Sequence, residues 1–125
     1  MAAIALPLSR RDRLATRDFD RLYQAPKARG RSEHLSILVR RRAAGDTGRA
    51  RTGIAVKGRL GNAVVRNRIK RRLREILRRQ RERLPAGWDV VVEARSAQVA
   101  RADFAALVHE LEELLARTLP SSESA

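Results

Sequence analysis

Between Gly61 and Glu75 the chain reads Gly-Asn-Ala-Val-Val-Arg-Asn-Arg-Ile-Lys-Arg-Arg-Leu-Arg-Glu, and this run restricts the possible folds more than any other. Wound as a helix at about 100° per residue, the segment gathers Val65, Ile69, Leu73, Ile76 and Leu77 into one arc of about 120°. That arc has to face a core. Asn67, Lys70, Arg71, Arg74, Arg78 and Arg81 collect on the opposite arc, with Arg68, Arg72 and Arg79 flanking it. Glu75 and Glu82 are its only acids, so pairing along the helix cannot neutralise the face. Like charges at i, i+4 cost helix stability, which makes a merely solvated face a poorer explanation than one that meets phosphate. Asn62 is a suitable N-cap, and the helix is expected to reach about Arg83 before Leu84-Pro85-Ala86-Gly87 stops it. Arg66 falls at the edge of the apolar arc, where packing alone would not choose arginine. From the helix start it can swing out towards a ligand.

An amphipathic helix needs a second layer. In His34–Arg40, Leu35, Ile37 and Val39 alternate with Ser36, Leu38 and Arg40, the pattern of a half-buried strand. Residues 44–48 read as a turn, after which Thr52, Ile54 and Val56 share one face and Gly53 and Ala55 the other. These two strands are expected to pair as a hairpin. Asp89-Val90-Val91-Val92-Glu93 is strongly β-branched and suits the middle of a sheet. Thr16 is a fitting cap for a short helix that aligns Phe19, Leu22 and Tyr23 and ends at Pro26. Ala102–Leu119 forms a last helix with Phe104, Leu107, Val108, Leu111 and Leu115 on one stripe. The fold class is α+β: one two-layer sandwich, helices on a mostly antiparallel sheet of about four strands, with a β-α-β crossover carrying the basic helix. The domain is placed at residues 9–119, between a flexible lead, 1–8, and a frayed tail, 120–125.

Charge narrows the function. Among 125 residues, 28 lysines and arginines against 14 acids leave +14. Such a domain repels itself and is best tolerated beside a polyanion, nucleic acid before anionic membrane. Lysine appears only at positions 27, 57 and 70. Arginine's fork suits phosphate and its plane suits bases; a genome-wide preference for arginine codons explains the ratio equally well, but not the net charge. The chain has no cysteine, which excludes disulfides and cysteine-ligated zinc and fits a reducing cytosol. The apolar residues of Met1–Leu8 precede Arg10, Arg11 and Arg13, the reverse of a secretory signal, and no run approaches the roughly 20 apolar residues of a membrane span. A soluble, cytoplasmic protein is expected.

A self-sufficient nuclease would need clustered carboxylates or a histidine pair. Asp18 and Asp20 diverge at i, i+2. His109 with Glu110, Glu112 and Glu113 reads as a solvated helix face, His34 as an exposed strand end, and Trp88 as a loop anchor. No catalytic set emerges, so the chemistry belongs to a partner. Phe19 and Tyr23, at i, i+4, fit a core by spacing alone.

The run from Gly61 to Arg71, with its Arg66-Asn67-Arg68 centre, resembles the signature helix of the bacterial ribonuclease P protein family. The likeness continues through Phe19 and Tyr23, Thr52-Gly53-Ile54-Ala55-Val56 and Val90-Val91-Val92, over roughly residues 9 to 118. It implies a large RNA partner that carries the catalytic Mg²⁺ site and cuts the 5′ leader from precursor tRNA. The protein would bind that RNA and the leader, with no metal or cofactor on its own side chains and with neither DNA nor membrane as partner. Carried onto this chain, the RNA-binding residues are Lys57, Arg59, Asn62, Arg66, Asn67, Arg68, Lys70, Arg71 and Arg74. The leader cleft is Phe19, Tyr23, Ser36 and Leu38, with the two rings stacking on bases. The likeness also implies a left-handed crossover, against the usual rule. Two departures stand out: Gly58 separates Lys57 from Arg59, and Leu38 stands where some relatives carry an aromatic. A ribosomal-type structural RNA binder is the rival. A DNA-reading factor ranks last, because a strand rather than a helix precedes the basic helix.

Overall fold

Three consecutive valines leave residues 88–94 without a polar face at mid-strand, so that segment must be covered on both sides. The computed structural model shows how. It describes Arg13 and residues 16–24, 28–43, 45–46 and 48–119, with the side chains of 16–19 left out; the expected lead and tail lie outside the described residues. Strands β1 (Ala28–Arg31), β2 (Leu35–Arg41), β3 (Arg51–Ala55) and β4 (Trp88–Ala94) form one sheet in the order β1-β2-β4-β3. The β1–β2 and β2–β4 pairs are antiparallel, and β3–β4 is parallel.

The hairpin expected between residues 35–40 and 52–56 is therefore corrected: β4 inserts between those strands. Pairing β2 with β4 sets Ile37 opposite Val92, Leu38 opposite Val91 and Val39 opposite Val90. Pairing it with β3 would have offered Gly53 and Ala55 instead, with far less cross-strand contact. The true hairpin partner of β2 is β1, which the sequence pattern missed because Ala-Arg-Gly-Arg has no apolar alternation. Gly30 suits this strand because a Cβ there would lie 2.2 Å from Thr118 Oγ1, at the end of the last helix.

Parallel neighbours require a crossover, and the basic helix supplies it. Helices α1 (Thr16–Gln24), α2 (Ala63–Arg79) and α3 (Phe104–Thr118) complete the two layers. On one face of the sheet, Leu35, Ile37, Val39, Val90 and Val92 meet Ile69, Leu73, Ile76 and Leu77 of α2 and Leu107, Leu111 and Leu114 of α3, all fully buried. Each such side chain contributes about 1.5–3 kcal/mol relative to exposure. On the other face, α1 lays Leu22 over Leu38 and Val91. Asn62 Oδ1 accepts from the Val65 N–H at 3.0 Å, capping α2 as expected. The helix ends at Arg79 and tightens into a 3-10 turn at Arg81–Arg83, one turn short of its expected end. At the opposite end of the sheet the buried Asp89 carboxylate takes Arg42 Nη1 at 2.8 Å and Arg51 Nε at 3.0 Å, joining β2, β3 and β4.

His34 and Glu110 also differ from expectation. Glu110 leaves the outer face of α3 and its Oε2 accepts from the backbone N–H groups of His34 (2.8 Å) and Leu35 (3.0 Å) and from the Ser32 hydroxyl. His34 Nδ1 lies 2.9 Å from Glu110 Oε1, so the ring is mostly covered rather than exposed. The carboxylate thus clamps α3 to the β1–β2 turn. Burial alone would raise its pKa, but the hydrogen bonds from Ser32 and His34 outweigh that and hold it below the ordinary carboxylate range. A carboxyl depressed in the folded state stabilises it above the unfolded value, and that stability is lost as pH falls through the folded value. Chemical denaturation should therefore show Glu110 support intact at neutral pH and fading below about pH 4.5. Glu110→Ala should cost about 1–3 kcal/mol at pH 7, with the difference from wild type shrinking as the pH is taken down through the depressed folded-state value.

A candidate nucleic-acid interface

α2 enters the fold from a 3-10 turn at Gly58–Leu60, and this turn with the first half of the helix gathers the expected RNA-binding residues on one side of the sheet. Gly61 joins turn to helix where a Cβ would lie 2.9 Å from Val65 Cβ, a clash that only glycine avoids. Lys57, Arg59, Asn62, Asn67, Arg71 and Arg74 are exposed, and Lys70 is half-buried. Among the described residues, Lys57, Arg59, Lys70, Arg71 and Arg74 have no protein carboxylate or carbonyl within bonding distance, leaving their cations for another acceptor. Arg66 is half-buried; its Nη1 would lie 3.6 Å from a Cβ on Gly58, and its Nε is buried without a partner. The arginine is thus folded back over the turn rather than extended from the helix start.

The flanking arginines have different work. Arg68 Nε donates to the Ala100 carbonyl at 2.8 Å and Arg72 Nη1 to the Val99 carbonyl at 2.9 Å, fastening α2 to the 3-10 turn Ala97–Ala100. Arg72 and Arg79 lie over the Phe104 ring, at 5.7 and 4.9 Å from its centre, a cation–π pairing. Glu75 takes Arg78 at 2.9 Å and Arg79 at 3.5 Å. Arg68 therefore has a structural anchor as well as a place on the basic surface, and its terminal nitrogens stay outside that bond. Val64, Arg68, Arg71 and Arg72 line an open groove of about 460 Å³. Val64 there is 78% exposed, an apolar side chain standing among cations.

The sheet face that α1 partly covers holds the other expected site. Strand alternation places Ser36 and Leu38 of β2, Val91 and Glu93 of β4, Gly53 and Ala55 of β3, and Arg29 and Arg31 of β1 on that face. Leu38, expected to line the cleft, is 2% exposed beneath Leu22 and forms its closed floor. Tyr23 is 38% exposed. Its hydroxyl donates to Glu93 Oε2 at 2.6 Å, and Ser36 Oγ donates to Glu93 Oε1 at 3.1 Å. Burial and the neighbouring carboxylate push the phenol well above its ordinary range, so it remains a donor. The Phe19 side chain lies outside the described residues. Glu93 was not foreseen as a site residue, because its face depends on the β2–β4 register. Trp88, read as a loop anchor, is buried as the first residue of β4. Among the described residues no group of three or more His, Cys, Asp or Glu could hold a metal ion, and no helix is long and apolar enough to cross a membrane.

A basic crossover helix on one side of a four-stranded sheet, and a short helix with an exposed tyrosine on the other, define an α+β sandwich with different side chains on its two faces. The Ribonuclease P family model matches residues 8–119. The ribonuclease P protein component of Desulfovibrio desulfuricans is 46% identical over 97 residues, 74% of each chain. That of Thermotoga maritima is 36% identical over 113 residues, 87% of this chain and 93% of the other. The solved Thermotoga maritima protein superposes with a TM-score of 0.72 at 35% identity, covering 86% of this chain and 97% of that one. The Staphylococcus aureus RNase P protein reaches 0.69 at 27% identity, covering 85% and 94%. The chain belongs to the ribonuclease P protein family.

The two classes of arginine are separable by thermal melts. Arg72→Ala should cost about 1–2 kcal/mol of stability through the lost carbonyl bond and ring contact. Arg71→Ala and Arg74→Ala, on open surface, should stay within about 0.5 kcal/mol of wild type.

Proposed function

We propose that the chain is the protein subunit of a ribonuclease P ribonucleoprotein, working in the cytoplasm on precursor tRNA. It binds the catalytic RNA with the basic side of α2 and the 5′ leader with the sheet face under α1. In this way it promotes endonucleolytic removal of the leader and formation of the mature 5′ end. The observation that carries this reading is the set of cations, Lys57, Arg59, Lys70, Arg71 and Arg74, gathered on one side of the fold without protein partners among the described residues.

Each contact in this reading is a positioning contact. The free guanidinium and ammonium groups meet phosphate oxygens, which fixes the protein on the RNA without reading its sequence. Asn67 supplies an amide beside them, Asn62 holds the helix start in register through its cap, and Arg66 covers the turn that presents Lys57 and Arg59. The exposed Tyr23 ring, with Phe19 one turn earlier on the same helix, offers a stacking surface to single-stranded bases. Ser36 lies beside it on the same sheet face, and Leu38 supplies apolar support from below. The hydrolysis itself belongs to Mg²⁺ held by the RNA.

Five phosphate contacts should give a slope of log affinity against log salt of roughly −3.5 to −4.5 for the catalytic RNA, and a slope near −1 would refute the helix face. Arg71→Ala should weaken that binding by about 1–3 kcal/mol, since it removes a charge-assisted contact. Tyr23→Ala should cost about 1–3 kcal/mol with leader-bearing precursor tRNA and nothing with mature tRNA. A ribosomal-type protein would give no acceleration of precursor cleavage when added to the catalytic RNA.

A further inference from the structure

On a chain of net charge +14, a half-buried carboxylate in the middle of the surface proposed for the leader calls for a reason. Glu93 stands on the central strand β4, with Ser36 opposite it on β2 and Ala55 opposite it on β3. Those small side chains leave the carboxylate head uncovered by its strand neighbours. It is not part of a salt bridge among the described residues: its two hydrogen bonds come from neutral hydroxyls, Tyr23 at 2.6 Å and Ser36 at 3.1 Å. Asp89, the other acid on this face, is buried and committed to Arg42 and Arg51. Glu93 is thus the one carboxylate on the open part of this face among the described residues.

A carboxylate has about four lone-pair positions, and the two hydroxyls occupy one on each oxygen. One further acceptor position on each oxygen has no partner among the described residues, and Tyr23 beside them is 38% exposed. Phosphate cannot use them, because its oxygens are acceptors of the same sign. A nucleobase can, provided its edge carries donors. Guanine presents N1–H and N2–H side by side, two donors matched to two oxygens. Cytosine and adenine present one amino group next to a ring acceptor. Uracil presents a single N3–H between two carbonyl oxygens, both repelled by the carboxylate. Two hydroxyl donors also hold the carboxylate in place, so it is already oriented when a base arrives.

We infer that Glu93 is a specificity residue of the leader surface: held by Tyr23 and Ser36, it accepts hydrogen bonds from the base lying against Tyr23 and favours guanine there while disfavouring uracil. This rests on the reading that the sheet face under α1 binds the leader. It adds a base preference at one leader position, imposed by a residue that makes no contact with phosphate.

The test measures affinity of the assembled protein–RNA enzyme for precursor tRNAs whose leaders carry each of the four bases at each position in turn. Wild type should show one position at which guanine binds about tenfold tighter than uracil. Glu93→Gln keeps an acceptor for the hydroxyls but replaces one oxygen with a donor, and should bring that ratio close to one, chiefly by tightening the uracil leader. Glu93→Val, whose side chain suits a strand, should also erase the preference if the amide substitution disturbs packing, and melts of both variants report folding. A base profile unchanged in both variants would overturn the assignment, as would an equal gain for all four bases, which is mere relief of charge repulsion. Wild-type affinity that ignores the leader altogether would remove the underlying reading, and this inference with it. Leader-dependent affinity with no base preference at any position would remove the Glu93 inference alone.

Discussion

The ladder that β4 forms with β2 on one side and with β3 on the other governs the remaining placements. Because the β3 pairing is parallel, the chain must leave the end of β3, travel the length of the sheet and re-enter beside it. α2 is that return path. Its apolar arc is pressed onto Val90, Val92 and their neighbours, so its arginine-rich arc can only face outward. The same ladder fixes the opposite face. With Val91 opposite Leu38 and Glu93 opposite Ser36, the register puts a patch for Leu22 at mid-sheet and a polar trio one row further on. One pairing thereby positions both the cationic surface and the polar patch beside Tyr23.

Arginine serves two purposes in this molecule, and composition does not separate them. Arg42 and Arg51 satisfy the buried Asp89, and Arg68 and Arg72 satisfy carbonyls of the turn Ala97–Ala100. Arg83 bridges to Glu112 of α3 at 2.8 Å. In the first two cases a guanidinium does what a shorter polar side chain cannot, reaching across elements to an acceptor that would otherwise lose hydrogen bonding on burial, whereas the Arg83 pair is a surface bridge. A positively charged fold of this kind uses part of its excess to hold itself together. The part that remains includes a cluster around Arg71, Arg74 and the turn at Lys57 and Arg59 on the α2 side, and Arg29 and Arg31 on the opposite face of the sheet.

The legible features were those set by local periodicity. The N-cap and apolar face of α2, the Leu107, Leu111 and Leu115 part of the α3 stripe and the central position of the 88–94 strand all follow from spacing and branching and appear where expected, whereas Leu114 joins the core unforeseen and Phe104 and Val108 are only half-buried. What escaped depends on which distant segments meet. β1 carries no apolar alternation, so only its pairing with β2 identifies it as a strand. The hairpin expected between β2 and β3 obeyed local rules and lost to the better cross-strand contacts of β4. Glu110 looked like one of several acids on a wet helix face, yet its side chain reaches the peptide groups after Ser32, a contact invisible without the fold. The candidate site divides in the same way: the residues on α2 were readable from the helix wheel, whereas the burial of Leu38 and the presence of Glu93 required the register.

Glu93 also bears on how a basic surface acquires selectivity. Cations alone attract every phosphate chain equally, and their attraction is weakened by salt for all sequences alike. Discrimination needs a group whose interaction changes sign with the base. A carboxylate meets that need, because it attracts amino and imino edges and repels carbonyl edges at similar distances. Its cost is repulsion of the backbone that the surrounding arginines attract. Placing it on the central strand, between Ser36 and Ala55 and beneath the edge of Tyr23, lets an aromatic ring and two hydroxyls define its surroundings while Arg29 and Arg31 remain on the outer strand. Attraction from the outer strand and selection at the sheet's centre are then carried by different strands in the order β1-β2-β4-β3.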